Sequence, residues 1–176
     1  LETMRRQAAM ARDVGVDCLM IAPMVCGFST MQALVAEFHD MAFFAHPSMG
    51  GAARIAPALL IGKLFRLMGA DAVIFPNHGG RFGYSPAECA RLAWNARHAD
   101  DGMHRALPVP AGGMTLDRTR EILDFYGLDT MLLIGGNLLM AREDITREAE
   151  RFTRAVGEWS VHAPAPTTDT RNTGDA

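Results

Sequence analysis

Short apolar runs alternate with stretches of helical periodicity along most of the chain. The apolar runs contain almost no polar residues and predict β-strands at residues 16–22, 41–45, 72–76, 107–111 and 130–134. Such continuous apolar runs are typical of parallel strands buried on both faces. The stretches between them place apolar residues at helical spacing and predict α-helices at residues 1–12, 30–39, 53–68, 86–97, 116–126 and 142–159.

The predicted helix ends carry the residue types that commonly cap helices. Ser29 and Ser85 are predicted N-caps, and Gly69 and Gly127 are predicted C-terminal caps. Strand–helix alternation at this spacing predicts an α/β fold with a parallel sheet and right-handed crossovers. The pattern fits both an open doubly wound sheet and a segment of a (β/α)₈ barrel. No Gly-x-Gly-x-x-Gly follows the first strand, which argues against the dinucleotide-binding form of the open sheet.

Composition excludes several classes of partner. The chain has 176 residues, enough for one domain, and we predict that residues 1–160 form it and residues 161–176 form a disordered tail. Its net charge of −3 gives no reason to expect nucleic acid or an anionic membrane as partner. No apolar run approaches the roughly 20 residues of a membrane span. The three cysteines form no Cys-x-x-Cys pair, which predicts free thiols in a cytoplasmic protein.

Pairs of glycines follow four consecutive predicted strands, at residues 50–51, 79–80, 112–113 and 135–136. Backbone amides without a Cβ nearby can approach an anion closely. Barrel enzymes often hold a phosphate at the ends of their last two strands. Gly112, Gly113, Gly135 and Gly136 are therefore predicted to bind phosphate. The alternative interpretation is that these glycines only permit tight turns between strand and helix.

Polar residues with possible chemical roles lie at the same strand ends. His46 ends the second strand and is a candidate catalytic or substrate-contacting residue, although a buried, hydrogen-bonded histidine is the alternative. Asn77, His78 and Arg81 share the loop after the third strand and are candidate substrate-binding residues, Arg81 because its guanidinium can bind a phosphate or carboxylate with two hydrogen bonds. No Asp, Glu, His or Cys residues have metal-ligand spacing, so we predict no metal ligands in this chain.

Several segments resemble the RuBisCO-like proteins. They are His46-Pro-Ser-Met-Gly-Gly-Ala, the stretch of residues 60–82, Pro108-Val-Pro-Ala-Gly-Gly-Met, and the stretch of residues 126–139. The resemblance runs in the same order from Leu1 to about Trp159. It implies that the predicted strands are the fourth to eighth of a RuBisCO-type (β/α)₈ TIM barrel, so that the chain corresponds to its C-terminal part.

The resemblance also implies a chemistry that needs parts outside this chain. The family uses Mg²⁺ to form an enolate, and its metal ligands, its first-strand lysine and its N-terminal domain are expected in the missing N-terminal part. The absence of an initiator Met agrees with a fragment. We therefore expect a fragment of a cytoplasmic, homodimeric, Mg²⁺-dependent enzyme with a phosphorylated small-molecule substrate, inactive when alone.

Departures from true RuBisCO narrow the expected substrate. Pro47 stands in place of an arginine that grips one of two phosphates, and Arg81 in place of the mobile-loop lysine. These changes imply a substrate with a single phosphate. The loop at residues 75–82 looks most like the branch that includes the decarboxylase of 3-oxo-isoapionate 4-phosphate, which is the preferred expectation. The alternatives are an enolase or isomerase of methylthio-sugar phosphates, or a non-catalytic truncated product that at most binds phosphate.

Overall fold

The computed structural model describes residues 1–98 and 102–163. Within them, four parallel strands form one sheet in chain order: β1 (Cys18–Ile21), β2 (Ala42–Ala45), β3 (Ala72–Pro76) and β4 (Leu107–Ala111). Neighbouring strands in the chain are neighbours in the sheet, with no reversal of order. A doubly wound sheet reverses its strand order at a switch point, whereas a barrel does not. The topology therefore matches the barrel interpretation.

The fifth predicted strand, at residues 130–134, is reduced to a single parallel bridge between Ala111 and Leu133. Two backbone amides of this segment still donate to β4, from Met131 to the Pro108 carbonyl (3.1 Å) and from Leu133 to the Pro110 carbonyl (3.3 Å). Pro108 and Pro110 face this segment but have no N–H to donate back. The prediction of a full strand was wrong because half of the ladder cannot form.

Helices follow the strands as the periodicity predicts. Those of eight residues or more are α1 (Glu2–Asp13), α3 (Phe28–Glu37), α6 (Pro86–Arg97), α7 (Thr119–Tyr126) and α9 (Ile145–His162). The shorter ones are α2 (Pro23–Cys26), α4 (Pro57–Leu59), α5 (Phe65–Leu67) and α8 (Gly136–Met140). A π-helical turn at Leu60–Leu64 joins α4 to α5. The helix predicted at residues 53–68 therefore begins later, where Pro57 occupies its first turn, a position that proline favours.

The predicted helix caps are confirmed except at one position. Ser85 and Glu88 form a capping box: the Ser85 Oγ accepts from the Glu88 amide at 3.2 Å, and Glu88 accepts from the Ser85 amide at 2.9 Å. Gly127 ends α7. Ser29 is not an N-cap, because it lies inside α3, which begins at Phe28 after Gly27. Helix α3 therefore starts two residues earlier than predicted.

The two faces of the sheet are covered unequally. One face packs against the helices, and its Phe43, Val73 and Phe75 are at most 1% exposed. The opposite face is also apolar, with Ile74 and Val109 at its centre surrounded by half-buried apolar side chains. Met20 on the edge strand β1 is 55% exposed. A barrel arc presents just such an apolar inner face and an open edge.

The C-terminal boundary differs slightly from the prediction. Helix α9 continues to His162, so the first two residues of the predicted tail are helical. Residues 164–176 of that tail lie outside the described residues. None of the helices in the described ranges is long and apolar enough to span a bilayer.

Candidate phosphate-binding site

The loops after β3 and β4 pack backbone against backbone. A Cβ atom placed on Gly113 would lie 2.9 Å from the Gly80 Cα and 3.2 Å from the Gly79 carbonyl oxygen. Gly113 also has a φ of 65°, in the left-handed region that side chains disfavour. Glycine is therefore required at position 113 by both its conformation and the close approach of the neighbouring loop.

The glycine pair at residues 135–136 follows the segment that is bridged to β4. The parallel bridge between Ala111 and Leu133 puts the segments that follow both residues at the same edge of the sheet. Gly112 and Gly113 follow the first, while Gly135 and Gly136 follow the second and begin α8. All four glycines are exposed. The structure thus brings together the two glycine pairs that the sequence predicts to bind phosphate.

Arg118 joins the loops after β3 and β4 through its guanidinium group. It donates to the Gly113 carbonyl at 3.1 Å and to the His78 carbonyl at 3.4 Å. Its other edge forms a bidentate pair with Glu121, at 3.1 and 2.8 Å. Hydrogen bonding to Glu121 raises the pKa of Arg118, and the same contact lowers the pKa of the Glu121 carboxyl. Two loop carbonyls therefore meet a fixed positive charge.

The sequence does not predict a role for Arg118 in the candidate site. An arginine three residues before a glutamate at the start of a helix indicates a local ion pair. Nothing in that spacing shows that the same guanidinium also reaches the preceding loop and the loop after β3. The contacts of Arg118 with both loops are therefore a feature of the candidate site that the sequence does not predict.

Asn77 is fully buried and connects the end of β3 to α7. Its backbone N–H donates to the Ala111 carbonyl at 2.8 Å, and its side-chain Oδ1 accepts from the Tyr126 hydroxyl at 2.7 Å. Burial raises the pKa of Tyr126, which keeps its hydroxyl protonated as the donor. The Asn77 Nδ2 has no hydrogen-bond partner among the described residues. Asn77 therefore holds the loop in place, and its contact with a substrate stays a prediction.

His78 and Arg81 lie in different environments although they share one loop. The His78 ring packs on Phe125, with 4.7 Å between ring centroids, and its buried Nε2 has no partner within the described ranges. Arg81 is exposed, with its guanidinium 4.7 Å from the centroid of the Phe82 ring. The Arg81 side chain is therefore exposed at the loop tip, whereas His78 is half-buried. Their predicted substrate contacts stay predictions.

His46 is half-buried at the end of β2, where its own loop folds back onto its ring. The Nδ1 atom lies 3.1 Å from the Ser48 amide nitrogen and 2.8 Å from the Ser48 Oγ. The His46 amide donates to the Ile21 carbonyl of β1 at 2.7 Å. Backbone and ring are thus both fixed, as an oriented functional histidine requires. Its catalytic role stays a prediction.

The described residues do not supply a site for Mg²⁺. In the part of the chain that the structure covers, no three His, Cys, Asp or Glu side chains come close enough to share a metal ion. Mg²⁺ prefers several oxygen ligands in octahedral geometry, including carboxylates. The residues present do not fit this ion, so no chemical step is assigned to it.

Comparisons with known proteins agree with the barrel interpretation. No family model matches the chain. It is 53% identical over 156 residues to the 5-methylthioribulose-1-phosphate isomerase of Rhodospirillum rubrum, which covers 89% of this chain and 42% of that protein. It is 32% identical over 143 residues to the 2,3-diketo-5-methylthiopentyl-1-phosphate enolase of Geobacillus kaustophilus, covering 77% of the chain and 34% of the enolase.

A solved structure shows the same relationship. The Rubisco-like protein from Rhodopseudomonas palustris matches with a TM-score of 0.81 and 46% identity, covering 90% of this chain and 42% of that one. Fold and loop arrangement thus define the C-terminal part of a RuBisCO-type barrel. The chain belongs to the RuBisCO-like proteins. It spans about two fifths of the length of the R. rubrum and R. palustris relatives.

Proposed function

We propose that this chain forms the phosphate-binding end of an enzyme that isomerises or enolises a methylthio-substituted sugar phosphate. The observation that carries the proposal is the 53% identity to the R. rubrum isomerase across 89% of the chain. Identity at this level over most of a chain supports a shared substrate class, whereas a shared fold alone does not. The activity requires the complete protein, because the chain covers 42% of that relative.

The two adjacent glycine pairs support binding of a single phosphate. Gly112 and Gly113 follow Ala111 in one segment, and Gly135 and Gly136 follow Leu133 in the neighbouring parallel segment. Their open backbone can approach phosphate oxygens without interference from side chains. The Gly112–Gly113 side is fixed by the Arg118 contacts described above. A preformed loop binds an anion without first losing conformational entropy.

The other strand ends would act on the polar part of the substrate. Isomerisation of a ketose phosphate removes a proton from a carbon beside the carbonyl and returns it to the neighbouring carbon, with no net oxidation. Negative charge develops on oxygen in between, and hydrogen-bond donors directed at that oxygen lower the barrier. We assign this contact to His46. Arg81, exposed at its loop tip, closes over the substrate, and Asn77 and His78 hold its loop.

Decarboxylation of 3-oxo-isoapionate 4-phosphate, the preferred expectation from the loop at residues 75–82, has less support. The R. rubrum relative is named as an isomerase and the G. kaustophilus relative as an enolase. The substrates in both names are methylthio compounds with one phosphate each. A β-keto acid decarboxylase would form a similar enolate, so the site geometry fits either reaction. The 53% sequence identity to the isomerase is therefore the reason for preferring isomerisation or enolisation over decarboxylation.

The metal and the assembly remain part of the proposal. The family resemblance implies Mg²⁺ and a homodimer in the cytoplasm. The described residues do not provide a ligand set for the ion, so its ligands would come from elsewhere in the complete protein. What this chain contributes is the orientation of the phosphate and the contact to the enolate oxygen.

The test uses the complete gene product that contains this chain, called the intact protein below. It is incubated separately with 5-methylthioribulose 1-phosphate and with 3-oxo-isoapionate 4-phosphate, and conversion is followed by ³¹P NMR and CO₂ release. We expect conversion of the first substrate without CO₂, reduced about 10²- to 10³-fold by His46→Ala, as for a lost oxyanion donor. CO₂ release from the second substrate alone overturns the proposal in favour of the decarboxylase. Folded protein that binds phosphate but converts neither of these substrates, nor 2,3-diketo-5-methylthiopentyl 1-phosphate, supports the non-catalytic alternative.

A further inference from the structure

We propose that Ser48 is a positioning residue that holds His46 in the tautomer with its proton on Nε2. In that state His46 donates a hydrogen bond to a substrate oxygen and does not act as the base that removes a proton from carbon. This inference rests on the proposed function for the identity of the substrate, but not for the state of the ring.

The argument starts from the chemistry of the two Ser48 contacts. A backbone N–H can only donate, and the Ser48 amide nitrogen lies 3.1 Å from the His46 Nδ1. That nitrogen must therefore present a lone pair. The Ser48 Oγ lies 2.8 Å from the same atom, and because Nδ1 presents a lone pair there, the hydroxyl must be the donor in this contact. Since a neutral imidazole carries one proton, it resides on Nε2.

The loop geometry makes this arrangement a built feature of the site. Met49 adopts a φ of 63°, a conformation seldom taken by residues other than glycine. The Gly50 amide closes the turn by donating to the Pro47 carbonyl at 2.9 Å. This tight turn brings the amide of Ser48 back over the ring of the residue two positions earlier. A looser loop would leave the Nδ1 to water and both tautomers accessible.

The consequence for the reaction is a division of roles. With Nδ1 occupied by two donors, the neutral ring has no free lone pair with which to accept a proton. Its Nε2–H can still stabilise the negative oxygen of an enediolate, as oxyanion-binding donors do. The base that removes the carbon-bound proton must then be a different group. The sequence alone is compatible with either role for His46, contact with substrate oxygens or transfer of a proton. The geometry of the Ser48 contacts favours the oxygen contact.

The tautomer can be measured without any substrate. The intact protein is labelled with ¹⁵N-histidine, and its side-chain spectrum is recorded under mildly alkaline conditions, where imidazole is neutral. Comparison with His46→Ala identifies the His46 signals among the six histidines of this chain. We expect protonation at Nε2, a tautomer ratio that shifts about fivefold towards Nδ1–H in Ser48→Ala, and recovery in Ser48→Thr. A proton on Nδ1 in the unmodified protein overturns the proposal.

The role in the reaction is tested with a matched pair of amides. The amide nitrogen of glutamine overlies the Nε2 position of histidine, and that of asparagine overlies Nδ1. Neither amide can act as a base. We expect kcat of His46→Gln to stay within about tenfold of the unmodified protein and that of His46→Asn to fall about 100-fold, as for a lost oxyanion donor. Equal, severe losses in both variants overturn the donor role. If methylthio-sugar phosphates are not converted, the proposed function fails while the spectrum still decides the tautomer.

Discussion

Substitution of Gly113 by alanine tests whether the contact between the loops after β3 and β4 organises the site. The added Cβ would lie 2.9 Å from the Gly80 Cα and 3.1 Å from the Gly80 amide nitrogen. Both are backbone atoms, which cannot move aside without moving their loop. The φ of 65° at Gly113 is a second source of destabilisation. An alanine at this position must either adopt this unfavourable left-handed conformation or change the path of the loop.

The magnitude follows from these two effects. An L-residue in the left-handed region costs about 1–2 kcal/mol relative to glycine. Overpacking against a neighbour that cannot relax adds about 1–3 kcal/mol. We therefore expect Gly113→Ala to lower the free energy of unfolding by about 2–5 kcal/mol. Gly112→Ala is the matched control, since Gly112 has a φ of 84° but no atom within 4 Å of a Cβ placed on it; it should cost about 1–2 kcal/mol.

The assay is urea unfolding of the intact protein with each alanine variant, read as the shift in midpoint at constant slope. Gly113→Ala should unfold at clearly lower urea than Gly112→Ala, and its KM for the phosphorylated substrate should rise more. Equal midpoints for the two variants would refute the reasoning. The loops would then not be in close contact, and the arrangement of the site described here would be wrong.

Three further predictions concern the surroundings of the same loops. Tyr126→Phe should lower the free energy of unfolding by about 1–3 kcal/mol in urea titrations, because the buried Asn77 Oδ1 loses its donor; an unchanged midpoint contradicts that bond. Arg118→Lys keeps the charge but loses the forked geometry, so KM for the phosphorylated substrate should rise roughly three- to tenfold with little change in kcat; a loss confined to kcat contradicts the positioning role. Alkylation followed by mass spectrometry should modify Cys89 only on unfolding, since Cys89 is buried and burial raises the pKa of its thiol; rapid modification of Cys89 in the folded protein contradicts its burial.

Much of the fold could be predicted because its signals are local. The bounds of β3 and β4 agree with the apolar runs, and Ser85 followed by Glu88 three residues later predicts the cap that the structure contains. The fifth strand could not be predicted from its own residues. Its weakness comes from Pro108 and Pro110 in the neighbouring strand, which remove the donors it would need. A pattern read along one segment does not register the hydrogen-bonding capacity of another.

The placement of the glycine pairs at the strand ends was predictable, whereas the side chains that contact their loops were not. Glycine pairs at successive strand ends are visible in the sequence, and parallel strands bring their ends together. Arg118 donates to the carbonyls of two loops, and Ser48 contacts the ring nitrogen of His46, but neither residue type nor spacing predicts these contacts. Met49 gives no sign of its left-handed conformation either, since methionine seldom adopts it. These contacts depend on loop shape, which only the structure provides.

Gly136 offers the sharpest distinction between the two interpretations of the glycine pairs. Its backbone is not in the left-handed region, and no atom lies within 4 Å of a Cβ placed on it. Neither a tight turn nor close packing therefore requires glycine at this position, and Gly136→Ala in helix α8 should leave the free energy of unfolding unchanged or raise it by up to about 1 kcal/mol. If phosphate oxygens approach the backbone here, the same methyl group should raise KM for the phosphorylated substrate severalfold with the protein as stable as before. An unchanged KM in that stable variant would mean that phosphate does not approach this end of α8, and the binding site would then be confined to the loop held by Arg118.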